Sequence, residues 1–175
     1  LDRAANYIQR QLERTGYDVE RHGYRMTISP EFRLEVASHF VNDDAPPEVT
    51  SGPSELEVFN LVANIPGTSP PFVVVGAHYD AVIDVPGADD NASGVAVLLE
   101  LATLLRTVRP AYGIRLVAFP VHDPPWFRSE SMGSYQYARQ MRQQGEEVHA
   151  MIALDTMGYY SAVSYTHLTL PTSTH

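Results

Sequence analysis

The chain has 175 residues, of which 44% are hydrophobic and 19% charged, a composition that indicates one globular domain with a sizeable core. Its formal net charge of −9 argues against nucleic acid and anionic lipid as partners. The absence of cysteine excludes disulfides, thiolate zinc ligands and a cysteine nucleophile, and no apolar run is long enough to span a membrane.

Patterning in the first third of the chain predicts a helix followed by extended segments. Ala5, Ile8 and Leu12 recur at helical spacing, so residues 1–15 are expected to form an amphipathic helix. The following predictions are extended backbone over 17–27 and 33–41, a surface loop over 42–54 and a strand over Glu55–Ile65.

Strand and helix patterns alternate in the remaining chain. Short apolar runs predict strands at 72–76, 114–119 and 151–154, and helical periodicity predicts helices at 94–106 and 134–144. Such alternation is typical of an α/β fold with a mixed, mostly parallel central sheet flanked by helices. Ligands of these folds bind beyond the carboxyl ends of the strands.

Histidine and aspartate are concentrated at those strand ends and in the loop before the first of these two helices. The residues concerned are His78, Asp80, Asp90, His122, Asp123 and Asp155. Carboxylates gathered at one sheet edge repel one another unless a cation lies among them. Nitrogen and oxygen donors without sulfur suit Zn²⁺ in an open, catalytic type of site.

Each of these residues also has an ordinary explanation when it is taken alone. A His-x-Asp pair is often surface decoration, and two aspartates before a helix often cap it and complement its dipole. Asp155 could end a strand, and His122-Asp123 could belong to a simple loop before two prolines. The metal interpretation therefore depends on the combination of three strand ends and one loop.

Several segments resemble the co-catalytic di-zinc aminopeptidases, the twenty-eighth metallopeptidase family. The strongest are Gly-Ala-His-Tyr-Asp at 76–80 and Pro-Gly-Ala-Asp-Asp-Asn-Ala-Ser-Gly at 86–94. Further similar segments lie at 60–67, 116–119, 132–134 and 154–158. The family includes bacterial leucyl aminopeptidases, glutamate carboxypeptidases and glutaminyl cyclases, and many of its members are secreted or periplasmic.

The resemblance implies a role for each matching position. His78 and Asp155 resemble ligands of one zinc, Asp90 resembles the carboxylate that bridges two zincs, and Asp80 resembles the partner that orients His78. Asp89 is left with a local role in the turn before the helix. The implied activity is removal of N-terminal residues from a peptide substrate by a metal-activated water.

The sequence departs from the family at the pair that follows the second buried strand. The family has Glu-Glu there, as general base and zinc ligand, whereas this chain has His122-Asp123. Asp123 is expected to ligate zinc with a shorter side chain, and His122 to replace the base. The alternatives are a catalytically impaired or non-enzymatic relative and a glutaminyl cyclase-like acyltransferase, which needs one zinc rather than two.

The end of the chain does not resemble the family. We expect a partial zinc-peptidase domain over 1–163 and a tail over 164–175 that is artefactual or disordered. The family completes its second zinc with a further histidine, and His167 and His175 are not expected to serve as that ligand. The chain, in which no signal peptide is visible, is therefore expected to be truncated and inactive by itself.

Overall fold

A computed structural model describes residues 1–30, 33–34, 52, 54–67, 69–82 and 85–159. In chain order the helices and strands are α1 (Asp2–Arg14), β1 (Val19–Thr27), β2 (Glu55–Ile65), β3 (Ser69–His78), α2 (Ala92–Leu105), β4 (Tyr112–Phe119), α3 (Gly133–Gln144) and β5 (Val148–Ala153). These bounds agree with the predicted elements to within a few residues at most ends. Strand β3 begins three residues before the predicted 72, and helix α2 begins two residues before the predicted 94.

The strands form one mixed sheet in the order β1-β2-β4-β3-β5. Strand β3 pairs in parallel with both β4 and β5, whereas β2 pairs antiparallel with β1 and β4. The prediction of a mixed α/β sheet flanked by helices is confirmed. Because β3, β4 and β5 run in the same direction, their carboxyl ends meet at one edge of the sheet.

Helices cover the sheet on both faces. Helices α1 and α2 pack on one face through Ile8, Leu12 and Leu98, which contact Leu61 and Leu116 of the sheet in one buried cluster. Helix α3 packs on the other face, where its buried Tyr137 and Met141 join a second cluster built on Val62, Val74, Val117 and Phe119. The central strands are apolar on both faces for this reason. Among the described residues, no helix has the length and apolar character needed to cross a membrane.

The extended backbone predicted over 33–41 is wrong at Arg33 and Leu34, whose backbone is helical. Pro30 is helical too, and the backbone N–H of Arg33 donates to the carbonyl of Ser29 at 3.1 Å. A serine followed by proline favours a helix start, because proline lacks the N–H that a first turn leaves unpaired. This local signal outweighs the extended pattern. The prediction for 35–41 lies outside the described residues, as does most of the loop predicted over 42–54.

A partly buried ion pair joins β4 to the end of α3. The two terminal nitrogens of the Arg115 guanidinium donate to the two carboxylate oxygens of Glu146, Nη2 at 2.8 Å. The guanidinium carbon lies 3.7 Å from the centroid of the Phe72 ring. The hydrogen bond with Arg115 lowers the pKa of Glu146, although burial opposes this shift. A carboxylate with a lowered pKa stabilises the fold at pH values above its ordinary pKa of 4.5. This contribution is lost as the pH falls through the lower pKa of the folded state.

We therefore expect Glu146→Gln to lower the free energy of unfolding by about 1–2 kcal/mol at pH 7. The difference from the wild type should shrink as the pH falls below 4.5, since protonation removes the same charge from Glu146 itself. Urea denaturation at several pH values measures both effects. Glu147→Gln is the matched control at an exposed neighbour, and equal effects of the two variants at pH 7 would contradict the prediction.

Candidate metal centre

His78 is the last residue of β3 and its side chain is buried, with 4% exposed. Its Nδ1 atom lies 3.2 Å from the backbone carbonyl oxygen of Asp80 and 3.5 Å from the Oδ1 atom of Asp80. Both of these oxygens are acceptors, so Nδ1 carries a proton in this arrangement. The lone pair of the neutral ring is then on Nε2, which faces away from Asp80.

Two carboxylates converge on that second nitrogen of His78. Nε2 lies 3.1 Å from Oδ1 of Asp90 and 3.8 Å from Oδ1 of Asp155, yet it has no hydrogen-bond partner among the described residues. The side chains of Asp90 and Asp155 are about half exposed, at 51% and 46%. Nε2 of His78 thus lies near Asp155, which sequence analysis assigned to the same zinc, and near Asp90, which it assigned as the bridge between two zincs. The groups of donor atoms that lie within 4.8 Å of one another among the described residues include Asp155 but not Asp90.

Asp80 connects the ends of β3 and β4. Its Oδ2 atom accepts the backbone N–H groups of His122 at 2.7 Å and of Asp123 at 3.0 Å. Burial would raise the pKa of Asp80, but the hydrogen bonds from His78, Asp123 and His122 outweigh burial and lower it. Asp80 therefore remains ionised while it orients His78 and fixes the backbone that carries the His122-Asp123 pair.

The pKa values of Asp123 and His78 are both raised. Burial raises the pKa of Asp123, and the charges of Asp90 and Asp80 raise it further against the opposing effects of His78 and His122. For His78, burial lowers the pKa, but the hydrogen bond to Asp80 and the charges of Asp80, Asp123 and Asp155 produce a net rise. Both shifts favour uptake of a proton, at Asp123 chiefly because of burial and at His78 because of the neighbouring carboxylates.

A divalent cation fits this donor set. Two groups of three residues each place one potential ligand atom per residue within 4.8 Å of the others. One group is His78, His122 and Asp155, and the other is His78, Asp80 and Asp123. Nε2 of His78 and Oδ2 of Asp123 are both buried without a hydrogen-bond partner in the described part of the chain. Orphaned nitrogen and oxygen atoms beside carboxylates are the ligands that Zn²⁺ accepts in open sites.

His122 lies directly against the cluster. Its ring stacks on that of His78 with centroids 4.3 Å apart and planes inclined by 24°, and the Phe127 ring meets it edge-on at 5.6 Å. The preceding residue, Val121, is buried and has φ 58°, a left-handed conformation that is costly for a β-branched residue. This turn brings the amide of His122 to Asp80. The ring of His122 is close enough to the other donors to ligate a cation as well as to accept a proton.

Four aromatic residues follow the ends of β4 and β5 in the sequence, and they have different surroundings: Trp126, Phe127, Tyr159 and Tyr160. Trp126 packs against a buried cluster of Met26, Val58 and Val121, which indicates a role in the core. Phe127 is 48% exposed and contacts His122, and Tyr159 is 72% exposed. Tyr160 lies outside the described residues. Among the aromatics just considered, Phe127 therefore has the clearest contact with the candidate site.

Asp89, which sequence analysis confined to the turn before α2, reaches a distant segment. Its Oδ1 atom accepts the backbone N–H of Gly158 at 2.7 Å, and the neighbouring Ser93 hydroxyl accepts that of Met157 at 2.9 Å. No periodicity in the sequence signals a bond between residues 69 positions apart.

The chain is 34% identical to uncharacterized protein YfbL of Escherichia coli (strain K12) over 171 residues, which cover 93% of this chain and 50% of that protein. It is 35% identical to leucine aminopeptidase 1 of Ajellomyces capsulatus (strain NAm1 / WU24) over 112 residues, covering 58% of this chain and 28% of that enzyme. The chain thus spans half or less of the length of these relatives.

The fold resembles that of a solved glutaminyl cyclase from an Acidobacteriales bacterium, with a TM-score of 0.66 and 21% identity, over 88% of this chain and 49% of that one. At this identity the likeness shows the fold alone. The sequence model of peptidase family M28 matches residues 60–174, which is more than half of the chain and includes the described candidate site. The chain therefore belongs to peptidase family M28.

Proposed function

We propose that the full-length protein is a zinc-dependent aminopeptidase that removes N-terminal residues from peptides. The observation that carries this proposal is the buried, unpartnered Nε2 of His78 facing the Oδ1 atoms of Asp90 and Asp155 at 3.1 and 3.8 Å. Membership of peptidase family M28 and the similarity to a leucine aminopeptidase support the same activity. The chain matches 50% of YfbL and 28% of that leucine aminopeptidase.

In this proposal His78 and Asp155 would hold one zinc, Asp90 would serve both this zinc and a second, and Asp123 would be a ligand of the second. A further histidine, assigned to no position among the described residues, completes the second site. Bound zinc supplies Lewis acidity, which lowers the pKa of a coordinated water and polarises the scissile carbonyl.

The protein's own residues position the reactants and move the proton. Asp80 holds the proton on Nδ1 of His78, so that Nε2 keeps its lone pair for ligation. A ring nitrogen of His122 accepts the proton of the attacking water and returns it to the leaving amine. The free amine that marks a peptide N-terminus would bind at the second metal position or near acidic side chains that do not ligate zinc.

The test is hydrolysis of leucine p-nitroanilide by the full-length protein. We expect activity that a chelator removes and that added Zn²⁺ restores, with no hydrolysis of the N-acetylated substrate because it lacks the free amine. Metal-independent hydrolysis, or equal rates for the free and acetylated substrates, would contradict the proposal. Zinc titration of the chain described here separately measures whether the partial site binds metal.

Two alternatives require only one metal ion. One is an enzyme of the glutaminyl cyclase type, and the other is a binding protein that has lost the general base. The close packing of the His122 ring on His78, within reach of Asp155, favours both alternatives because it offers a donor set around a single ion. The fold likeness to a glutaminyl cyclase is compatible with the first. One zinc per full-length protein with cyclisation of glutaminyl peptides would select the cyclase, and bound zinc with neither activity would select the binding protein.

A further inference from the structure

The segment that carries Asp155 is attached on both sides to the beginning of α2. On the N-terminal side, Nδ2 of Asn91 donates to the carbonyl of Leu154 at 2.8 Å. On the C-terminal side, the backbone N–H groups of Met157 and Gly158 donate to Ser93 Oγ at 2.9 Å and Asp89 Oδ1 at 2.7 Å. Three hydrogen bonds thus connect the residues on either side of Asp155 to residues 89–93.

These three bonds are connected within the α2 end. The Ser93 hydroxyl donates to the carbonyl of Asp89 at 2.6 Å, and Oδ1 of the buried Asn91 accepts the N–H of Gly94 at 3.0 Å, which caps the helix. A Cβ atom at Gly94 would lie 2.5 Å from the carbonyl oxygen of Leu154, so the two segments are in close backbone contact. The α2 end and residues 154–158 therefore form one polar unit.

The same turn carries Asp90, the carboxylate nearest to Nε2 of His78. Attaching residues 154–158 to this turn therefore fixes Asp155 relative to Asp90 across the His78 nitrogen. The Asp155 side chain is itself 46% exposed, so packing restrains it little and its backbone largely determines where the carboxylate lies.

The backbone beside Asp155 is held in a strained conformation. Thr156 has φ 47°, in the left-handed region, which a β-branched residue normally avoids. A strained residue persists only where its surroundings determine its conformation. Here the hydrogen bonds of the next two residues to Ser93 and Asp89 provide that restraint.

We propose that Asp89 is a positioning residue, which with Ser93 clamps residues 156–158 so that the Asp155 carboxylate meets His78 and Asp90 around a bound cation. The clamp acts through the backbone of Met157 and Gly158, and Asp89 need not ligate the metal. The inference rests on the proposed function insofar as it requires a cation at this site. It adds a role for the first aspartate of the Asp89-Asp90 pair.

The first test compares zinc affinities of the chain by competition with a chromophoric chelator. Asp89→Ala is expected to weaken zinc binding by about 10–100-fold, as is usual when a partner that orients a ligand is removed. Asp89→Asn loses the charge but keeps an oxygen acceptor for Gly158, and we expect it to bind within about threefold of the wild type. Asp18→Ala removes an exposed carboxylate between α1 and β1 and controls for net charge.

Equal affinity of Asp89→Ala and the wild type would overturn the proposal. Equal weakening by Asp89→Ala and Asp89→Asn would also overturn it, because the effect would then follow the charge and not the hydrogen bond. Glycine adopts a positive φ without strain, so Thr156→Gly added to Asp89→Ala is expected to recover part of the lost affinity. No recovery in this double variant would contradict the role assigned to the strain at Thr156.

Amide hydrogen exchange of Gly158 tests the clamp without zinc. We expect faster exchange in Asp89→Ala than in the wild type, with Asp89→Asn between them, and unchanged exchange would overturn the clamp. If the full-length protein binds no zinc, the proposed function fails, and the exchange result alone then decides whether the clamp exists. If zinc binds but the Asp89 variants behave like the wild type in both measurements, the clamp fails and the proposed function stands.

Discussion

Asp90→Ala is expected to abolish measurable zinc binding by this chain. The Asp90 carboxylate lies closer to Nε2 of His78 than that of Asp155 does, at 3.1 against 3.8 Å, and it also influences Asp123 electrostatically. Loss of this ligand should cost more than the roughly 10–100-fold change that follows loss of an orienting partner. Chelator competition measures the affinity, and metal analysis after gel filtration measures the stoichiometry.

Thermal unfolding separates lost ligation from lost structure. A ligand that binds only the folded state raises the midpoint by an amount that grows with the logarithm of its concentration over its dissociation constant. Zinc should therefore raise the midpoint of the wild type and leave that of Asp90→Ala unchanged. Asp18→Ala, at an exposed position between α1 and β1, should keep the full zinc response. Zinc retained in Asp90→Ala at the wild-type stoichiometry would refute the ligand role proposed for Asp90.

Periodicity and strand direction were sufficient to predict the sheet edge at which the candidate site lies. The apolar runs that end near His78, Phe119 and Leu154 predict buried strands, and parallel pairing of β3 with β4 and β5 brings their ends together. The proximity of His78, Asp90 and Asp155 could therefore be expected before any coordinates. These features depend on short-range patterns and on a general property of parallel sheets.

Features that depend on particular side-chain to backbone bonds could not be predicted in this way. The bonds from Asn91 to Leu154 and from Asp89 to Gly158 join residues 63 and 69 positions apart, and they leave no periodic signal. The left-handed backbone at Val121 and Thr156 likewise opposes the usual preference of β-branched residues, since tertiary contacts impose it. By contrast, the helical start at Ser29-Pro30 had a local signal, and the extended pattern after it obscured that signal.

His122→Glu is expected to raise peptide hydrolysis by the full-length protein. An imidazole that accepts a proton becomes a cation beside bound dications, whereas a carboxylate that accepts one becomes neutral, so the glutamate is the better base in this electrostatic setting. The bond that positions residue 122 is made by its backbone N–H to Asp80 at 2.7 Å and does not depend on its side chain. A glutamate would therefore start from the same backbone position.

We expect kcat/KM for leucine p-nitroanilide to increase at least about tenfold, since a well-placed general base contributes about 10²–10⁴-fold. His122→Gln is the matched control, because it has nearly the shape of glutamate but cannot accept the proton. Both variants lose the ring contacts of His122 with His78 and Phe127, so comparing them separates the chemistry of the base from the loss of packing. If the glutamate variant is not faster than the wild type and the glutamine variant, residue 122 is not the base. Ligation of the metal together with His78 and Asp155, which the position of His122 also allows, is then the better assignment.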